Sequence, residues 1–388
     1  MAWRRITKEI SVGGVKIGGR NNPITVQSMT TGDTRDVERT IAEIKGLEEE
    51  GCEIVRVAVP DAKAGEALAE IKRRIGIPLI ADIHFHHELA LAAIRNGVDG
   101  LRLNPGNIRD AEKVRLVVSE AKRANVPIRI GVNFGSLPPV GKIGATRGSR
   151  RVVDGVNQLP TIAEAEAMGQ ADAYTVVDHM VATALWEIGI LEALDFDLIK
   201  VSLKAFDVPT TVEAYRRLAP LVPYPFHLGI TEAGTPASGS IRSAVGLGAL
   251  LYEGLGDTLR VSLAGDSREE VRAGFEILKS LNLRQKGPTL VACPSCGRAD
   301  VEVLKLAADV ERFIKEVKTP LKIAVMGCEV NGPGEAKDAD IGIAGGNGRA
   351  VIFRKGAKSK VVPASDMLDA LMQEVRATEA DLAKAATA

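Results

Sequence analysis

The chain has 388 residues with 50 basic and 50 acidic side chains, so its formal net charge is zero. This balance excludes a strongly basic nucleic-acid-binding protein and an acidic tail protein. Apolar residues make up 45% of the chain, which is typical of a globular protein with a sizeable core. No apolar run approaches the roughly 18 residues of a transmembrane helix, and the amino terminus carries no apolar signal segment. We therefore expect a cytoplasmic protein that binds neither nucleic acid nor membrane.

The first predicted element is a β-hairpin around Gly13 and Gly14. Short apolar runs then alternate with amphipathic stretches of helical periodicity. These runs span residues 24–29, 54–59, 79–85, 101–106, 128–133, 199–204, 226–231 and 258–264. Eight strand–helix units in succession predict an α/β domain with a (β/α)8 TIM-barrel fold over residues 1–284. An open doubly wound sheet is the alternative, but no glycine-rich fingerprint follows the first strand to support it.

One connection is too long for a single helix. The segment from Phe134 to Leu198 begins with a glycine- and arginine-rich stretch that predicts a loop, and a helical pattern covers residues 179–194. A loop of this length is either functional or flexible. We interpret Arg147, Arg150 and Arg151 as a solvated basic loop.

The composition changes after Leu283, where Gly287 and Pro288 indicate a linker. Residues 285–388 are expected to form a small α+β domain with a frayed, alanine-rich tail. Its predicted strands are residues 289–293, 321–328, 339–346 and 349–356, and its predicted helices are residues 301–317 and 364–376.

Polar and charged residues interrupt the predicted barrel strands near their carboxyl ends, where barrel enzymes place their chemistry. An isolated buried charge is expensive, and the only obvious counter-charges for these cations are Asp82 and Glu232. The surplus predicts an anionic ligand such as a diphosphate, unless some cations point outward or pair with helix carboxylates. Asp82 and Glu232 are candidates for proton transfer or hydroxyl binding. The interrupting residues are Arg56, Asp82, His84, Arg102, Asn104, Arg129, Asn133, Lys200, Ser202, Lys204, His227, Arg260 and Ser262.

Three cysteines mark a second site, in the small domain. Cys293 and Cys296 form a C-x-x-C pair, and Cys328 follows an apolar strand. Three thiolates indicate a soft-metal centre, and the candidate fourth ligand is Glu335. A carboxylate is more exchangeable than a thiolate, which favours an iron–sulfur cluster that acts on substrate over a closed electron carrier. The alternatives are zinc with Cys52 or water as fourth ligand, or reduced structural thiols, and Cys52 itself is interpreted as a buried apolar residue.

Taken together, these motifs resemble the 4-hydroxy-3-methylbut-2-enyl diphosphate synthase family, the iron–sulfur reductases of the non-mevalonate isoprenoid pathway. Residues 138–181 do not align with the family's shorter connection, and the alternative for Arg147, Arg150 and Arg151 is that they dock an acidic electron donor. The matching stretches are residues 23–30, 51–59, 79–85, 101–107, 128–137, 227–234, 256–263, 293–298 and 326–336.

This resemblance implies a reductive ring opening of 2-C-methyl-D-erythritol 2,4-cyclodiphosphate to (E)-4-hydroxy-3-methylbut-2-enyl diphosphate. It implies a [4Fe-4S] cluster on Cys293, Cys296, Cys328 and Glu335, and reduced ferredoxin or flavodoxin as electron donor. It also implies a homodimer in which the cluster domain of one subunit covers the barrel of the other.

The resemblance further implies roles for the barrel residues. Asp82 and Glu232 would face the carbon skeleton, with Glu232 the better candidate for proton delivery. The residues that would bind the substrate are Arg56, His84, Arg102, Asn104, Arg129, Asn133, Lys204, Arg260 and Ser262.

Two other functions fit parts of the pattern. One is a transferase that binds a pterin or a sugar phosphate and holds zinc in its small domain. The other is a non-catalytic sensor that binds a phosphorylated ligand or responds to redox state. A zinc protein is colourless whereas a [4Fe-4S] protein is brown and oxygen-sensitive, and a sensor binds its ligand without turnover.

Overall fold

The computed structural model describes residues 4–108, 110–138, 175–296, 299, 301–328, 334 and 338–387. The predictions for Arg147, Arg150, Arg151 and Glu335 lie outside these residues. The chain divides into two compact units, Met1–Arg284 and Gln285–Ala388. None of the helices in the described part of the chain has the length and apolar character needed to cross a membrane.

The first unit opens with the predicted hairpin. Strands β1 (Thr7–Val12) and β2 (Val15–Gly19) pair antiparallel, and Gly13 and Gly14 between them adopt positive φ angles. Its apolar face packs against the first residues of two barrel strands, so the hairpin covers the amino-terminal end of the barrel. The side chains in this contact are Ile10, Val12, Ile17, Ile54 and Ile80.

Eight parallel strands form the barrel, in the order β8-β7-β6-β5-β4-β3-β10-β9. A parallel bridge between Val201 and Phe226 joins the two ends of this order and confirms the predicted TIM barrel. The strands are β3 (Thr25–Met29), β4 (Ile54–Ala58), β5 (Leu79–Asp82), β6 (Gly100–Arg102), β7 (Ile128–Asn133), β8 (Ile199–Lys204), β9 (His227–Leu228) and β10 (Thr258–Leu259).

Helices surround the barrel, and aspartates cap several of them. Asp61, Asp110, Asp207 and Asp266 each accept a hydrogen bond from a backbone N–H in the first turn of the helix that follows. The helices are α1 (Val37–Glu49), α2 (Ala62–Arg74), α3 (His87–Arg95), α4 (Ala111–Ala124), α5 (Val176–Glu192), α6 (Val208–Leu218), α7 (Pro236–Tyr252) and α8 (Ser267–Ser280). Short 3-10 turns follow β6 and β7, at Pro105–Asn107 and Phe134–Ser136.

Several barrel strands are shorter than the apolar runs that predicted them. Ile83, Ile230 and Val261 lie beyond the ends of their strands yet are fully buried. The apolar runs therefore mark buried residues, and the hydrogen-bonded strand covers only part of each run. Strand β6 ends at Arg102, and Pro105, which has no backbone N–H to donate, begins the 3-10 turn that follows.

The second unit contains a five-stranded mixed sheet in the order β11-β12-β13-β14-β15. The first three strands are parallel and the last two pairs are antiparallel. The strands are β11 (Thr289–Ala292), β12 (Lys322–Met326), β13 (Ile341–Gly346), β14 (Arg349–Arg354) and β15 (Ala357–Pro363). Helices α9 (Val303–Phe313) and α10 (Met367–Thr387) contribute to the apolar core with β12, β13 and β14.

One strand of this unit was not predicted, and the expectation for its tail was wrong. Strand β15 was not predicted, because its sequence carries exposed lysines rather than an apolar run. The tail was expected to be frayed, but α10 continues to Thr387. Alanine favours helix, and contacts also anchor the tail, since Arg354 binds Asp381 and Thr378 is buried.

Candidate functional site

Alternate residues of the barrel strands point into the barrel. In β7, Ile130 and Val132 belong to the core between strands and helices, so Arg129 and Asn133 face the interior. We call the carboxyl-end opening of this polar interior the mouth. The same alternation turns inward Arg56, Asp82, Arg102, Asn104, Lys200, Ser202, Lys204, His227, Thr258 and Arg260.

Asp82 lies at the centre of one side of the mouth. Its Oδ2 is 3.5 Å from Arg56 Nε, and its Oδ1 is 3.4 Å from an Nη1 of Arg102. Burial raises the pKa of Asp82, but the charges of Arg56 and Arg102 outweigh burial and the pKa is lowered overall. Asp82 is therefore an ionised carboxylate at neutral pH and holds no proton to deliver.

His84 stands beside this group with 56% of its side chain exposed. Its Nδ1 is 2.8 Å from Arg102 Nη1. A guanidinium only donates hydrogen bonds, so Nδ1 accepts and the imidazole proton is on Nε2. Burial lowers the pKa of His84. The negative charge of Asp82 opposes this shift and the positive charge of Arg102 adds to it, so the pKa is lowered overall. His84 is thus neutral, with one N–H to donate at the mouth.

A row of buried cations continues around the barrel. In register, Arg102 neighbours Arg129, which neighbours Lys200 on β8. Arg129 donates to Ser202 Oγ at 2.5 Å. Among the described residues, no carboxylate lies within 4.0 Å of Arg129, Lys200 or Lys204. Burial lowers the pKa of all three, to about 7 for Lys200. An anion in the mouth would act most directly on Lys204, which ends β8, whereas Lys200 lies near the start of that strand.

The inward face of β9 carries His227, which is fully buried. Its Nδ1 lies 3.4 Å from Thr258 Oγ1, and its Nε2 has no partner among the described residues. Burial and the nearby ammonium of Lys204 lower the pKa of His227 well below its usual range. It is a neutral imidazole under the mouth.

Arg260 has a counter-charge that the sequence did not reveal. Glu270 on α8 accepts from Arg260 Nε at 2.9 Å and from an Nη2 at 2.8 Å. The same carboxylate accepts from Ser28 Oγ at 2.8 Å and from the N–H of Leu263 at 3.1 Å, and is 2% exposed. The expectation that Arg260 faces only Asp82 and Glu232 was therefore wrong, because a helix residue supplies the charge.

Two inward glycines give the cations room. A Cβ on Gly131 would lie 2.9 Å from Arg102 Nε. A Cβ on Gly229 would overlap Lys204 Nζ and lie 2.8 Å from the carbonyl oxygen of Arg260. Any larger residue at either position would displace a cation of the mouth.

The two asparagines at the mouth differ in their freedom. Asn104 donates to Gly131 O at 3.0 Å and accepts from Gly131 N at 2.8 Å, so its amide already ties β6 to β7. Asn133 is half-buried at the end of β7, next to Lys204 in register. Asn133 is thus the better placed of the two to contact a ligand.

Ser262 and Glu232 lie beyond the strand ends. Ser262 is half-buried, two residues after Arg260. Glu232 is exposed, and its backbone has a φ of 54°, in the left-handed region that a residue with a Cβ adopts only at a cost. Six other non-glycine residues in the described part of the chain share a positive φ, so this conformation does not by itself assign Glu232 a role.

In the second unit, the three cysteines of the predicted cluster follow neighbouring strands. Cys293 comes directly after β11, and its N–H donates to Val325 O on β12 at 2.9 Å. Cys328 is buried two residues after β12, and Ser295 in the C-x-x-C turn has a φ of 63°. No group of three His, Cys, Asp or Glu side chains suited to a single metal ion occurs in the described part of the chain. A four-iron cluster binds each ligand through a different iron, so its ligands are spread more widely than those of one ion. Thiols are the donors that such a cluster binds, so the chemistry of the donor set fits it.

Sequence reasoning missed Glu270 as a mouth residue. Glu269 and Glu270 are adjacent acids in the first turn of α8, and the helical spacing of Glu270 with Gly274 and Ile277 was a signal that Glu270 is the buried one. His227 was seen as an interruption of its strand, but a single histidine in an apolar run gave no reason to select it.

Comparison with known proteins agrees with this architecture. The GcpE TIM-barrel domain model matches residues 7–275 and the GcpE protein C-terminal domain model matches residues 289–377. A protein of Dehalococcoides mccartyi named 4-hydroxy-3-methylbut-2-en-1-yl diphosphate synthase (flavodoxin) is 53% identical over 97% of this chain and 99% of its own. A protein of the same name from Geobacter sulfurreducens is 52% identical over 95% of this chain and 97% of its own.

Among solved structures, a dihydropteroate synthase from Stenotrophomonas maltophilia is similar over 71% of this chain and 97% of its own. Its identity is 16% and its TM-score is 0.44, too low to bear on function. The two family models and the full-length relatives agree: the chain belongs to the GcpE family.

Proposed function

We infer that this chain catalyses the reductive opening of 2-C-methyl-D-erythritol 2,4-cyclodiphosphate to (E)-4-hydroxy-3-methylbut-2-enyl diphosphate, a step of the non-mevalonate route to isoprenoids. The relatives carry the name of this oxidoreductase over nearly the full length of the chain. The observation that carries the inference from the structure is the surplus of inward cations at the mouth, which suits a diphosphate.

Positive charges outnumber negative charges among these side chains. The inward cations are Arg56, Arg102, Arg129, Lys200, Lys204 and Arg260. Asp82 and Glu270 are the carboxylates that pair with members of this set among the described residues. A bound diphosphate would supply negative oxygens to the unpaired cations, and arginine presents its N–H groups in a fork that matches phosphate oxygens.

We assign diphosphate binding to the predicted residues Arg56, His84, Arg102, Arg129, Lys204, Arg260 and Ser262. Asn133 would add a hydrogen bond, whereas Asn104 would act mainly by holding Gly131 in place. These assignments rest on inward orientation and on the location of the side chains at the mouth.

The two acids of the mouth take different roles in this proposal. Asp82 is ionised between two arginines, so it orders Arg56 and Arg102 and delivers no proton. Glu232 is exposed at the end of β9 and has no ion pair among the described residues, which leaves it available for proton delivery or hydroxyl binding. We therefore place Glu232 at the proton-transfer step.

The balance of the reaction follows from the two chemical names. The substrate carries its diphosphate across the oxygens of C2 and C4, and the product keeps it only at one end. The bond between C2 and its oxygen must break, and the hydroxyl of C3 must take a proton and leave as water. Two electrons enter, and a double bond forms between C2 and C3.

We propose that Cys293, Cys296, Cys328 and Glu335 hold a [4Fe-4S] cluster. When bound, this cluster supplies the two electrons in single-electron steps. Reduced flavodoxin fits the names of the relatives as the donor, with reduced ferredoxin as the alternative.

The remaining predictions concern organisation. We assign residues 1–284 to substrate binding and residues 285–388 to the cluster. A homodimer in which the cluster domain of one subunit covers the mouth of the other, and a cytoplasmic location, remain predictions.

The test uses protein purified without oxygen and reduced with dithionite. We expect about four irons and four labile sulfides per chain, as a [4Fe-4S] centre requires, with an EPR spectrum that changes when the cyclic diphosphate is added. Product formation with reduced flavodoxin should depend on Glu232 and be lost in Glu232→Gln, and unchanged turnover would remove Glu232 from the mechanism. One zinc per chain, no labile sulfide after anaerobic reconstitution and no product would overturn the proposed function.

A further inference from the structure

Glu187 is a buried carboxylate that the proposed mechanism does not use. It lies on α5 with 2% of its surface exposed. Its Oε2 accepts a hydrogen bond from the backbone N–H of Gly106 at 2.7 Å. The positive charge of Arg102 also acts on the Glu187 carboxylate.

Burying this carboxylate is unfavourable. Burial raises the pKa of Glu187 to about 7, although the hydrogen bond from Gly106 and the charge of Arg102 both oppose that rise. A buried acid with so few partners adds little to stability, and an apolar residue of similar size would commonly serve the fold as well. A role for Glu187 must therefore lie in its contact with Gly106.

Gly106 is pressed against α5. A Cβ at this position would lie 2.5 Å from Trp186 Cζ3 and 2.7 Å from Glu187 Oε1. Only glycine allows this approach, so the turn Pro105–Asn107 is held against the helix by one specific hydrogen bond.

The turn connects residues on the Arg102 side of the mouth. It begins directly after Asn104, whose amide is bonded to the backbone of Gly131 on β7. At its other end, Asn107 Nδ2 donates to the carbonyl oxygen of His84 at 3.3 Å. A shift of the turn would move both neighbours of Arg102.

We propose that Glu187 is a positioning residue, whose carboxylate fixes the Pro105–Asn107 turn through Gly106 and so holds Asn104 and His84 in the geometry that binds the substrate's diphosphate. This inference rests on the proposed diphosphate-binding function of the mouth. Glu187 itself lies behind the turn and touches no substrate.

Two variants of similar volume separate the hydrogen bond from packing. Glu187→Gln keeps an oxygen that accepts from Gly106, whereas Glu187→Leu fills the space without an acceptor. Glu192→Gln is the matched control, since Glu192 is on the same helix but accepts from Tyr224 instead. Inorganic diphosphate serves as the probe, titrated calorimetrically into the full-length protein, so the readout does not depend on turnover.

We expect E187L to bind inorganic diphosphate about tenfold more weakly than wild type, because the Gly106 N–H loses its acceptor and the turn that positions Asn104 and His84 is no longer fixed. E187Q and E192Q should bind within about twofold of wild type, since each keeps an acceptor. Hydrogen exchange should show the Gly106 amide protected in wild type and E187Q and exposed in E187L.

The outcomes are distinguishable. Wild-type protein that fails to bind diphosphate would overturn both the proposed function of the mouth and the role of Glu187. Wild type that binds, with E187L binding equally well, would overturn only the positioning role. If E187L does not fold, the wild-type exchange measurement decides, because a Gly106 amide that exchanges as fast as an open loop contradicts the proposal.

Discussion

Replacing Gly229 by alanine tests whether the mouth depends on the exact position of its cations. The added Cβ would overlap Lys204 Nζ and lie 2.8 Å from the carbonyl oxygen of Arg260. That carbonyl belongs to the backbone of a neighbouring barrel segment and cannot move far. The flexible Lys204 side chain must therefore give way, and its ammonium leaves the position that we assign to diphosphate binding.

The size of the effect follows from two contributions. Overpacking a buried site costs about 1–3 kcal/mol of folding stability. A hydrogen bond to a charged group contributes about 1.5–3 kcal/mol, and each 1.4 kcal/mol is about tenfold in affinity. We expect Gly229→Ala to raise KM for the cyclic diphosphate at least about tenfold, with a smaller change in kcat.

Gly248→Ala is the matched control. A Cβ on Gly248 meets no atom within 4 Å, and alanine favours the helix in which it lies, so stability should stay the same or rise. Steady-state kinetics with the cluster-loaded enzyme and urea unfolding measure both effects. A Gly229→Ala enzyme with wild-type KM would refute the idea that Lys204 must occupy this space.

Other predictions follow from buried charges and thiols. Glu270→Gln should lower the free energy of unfolding by about 3 kcal/mol in urea, because it leaves Arg260 buried without its counter-charge, and a loss below about 0.5 kcal/mol would contradict this. The Cys52 side chain is 3% exposed, and burial raises the pKa of its thiol to about 12. Iodoacetamide at pH 8 should therefore label Cys52 only after unfolding. Burial lowers the pKa of Lys204 well below its usual range, and a bound anion raises it again, so diphosphate binding above pH 7 should take up protons and weaken as pH rises. Calorimetry in buffers of different ionisation enthalpy checks the last prediction, and equal heats in all buffers at pH 8 would contradict it.

Much of the barrel could be predicted because its signals are local. Each strand is an apolar run of fixed period, and each inward polar residue interrupts that run, so Arg129 and Asn133 could be placed on one face from the sequence. The cysteines could be grouped because two of them are close in sequence and the third follows a strand.

Features set by long-range packing could not be predicted. Helical spacing with Gly274 and Ile277 places Glu270 on the buried face of α8, but its pairing with Arg260 depends on how the helix packs on the barrel. A last helix was predicted, but its continuation beyond residue 376 was missed because its anchors, such as Arg354, lie on a distant strand. Strand β15 pairs through its backbone, so its exposed lysines gave no apolar signal.

The glycines and the unpaired cations both make the barrel interior suited to a charged ligand. Without a ligand, Arg129, Lys200 and Lys204 are buried charges whose pKa values burial drives down, which is unfavourable for folding. Gly131 and Gly229 add to this cost, since they leave space for side chains rather than packing the barrel. A polyanion that binds only the folded state reverses the electrostatic part of the cost, so ligand binding and stability are linked. A barrel interior selected for stability alone would be apolar, and this one is arranged for a charged occupant.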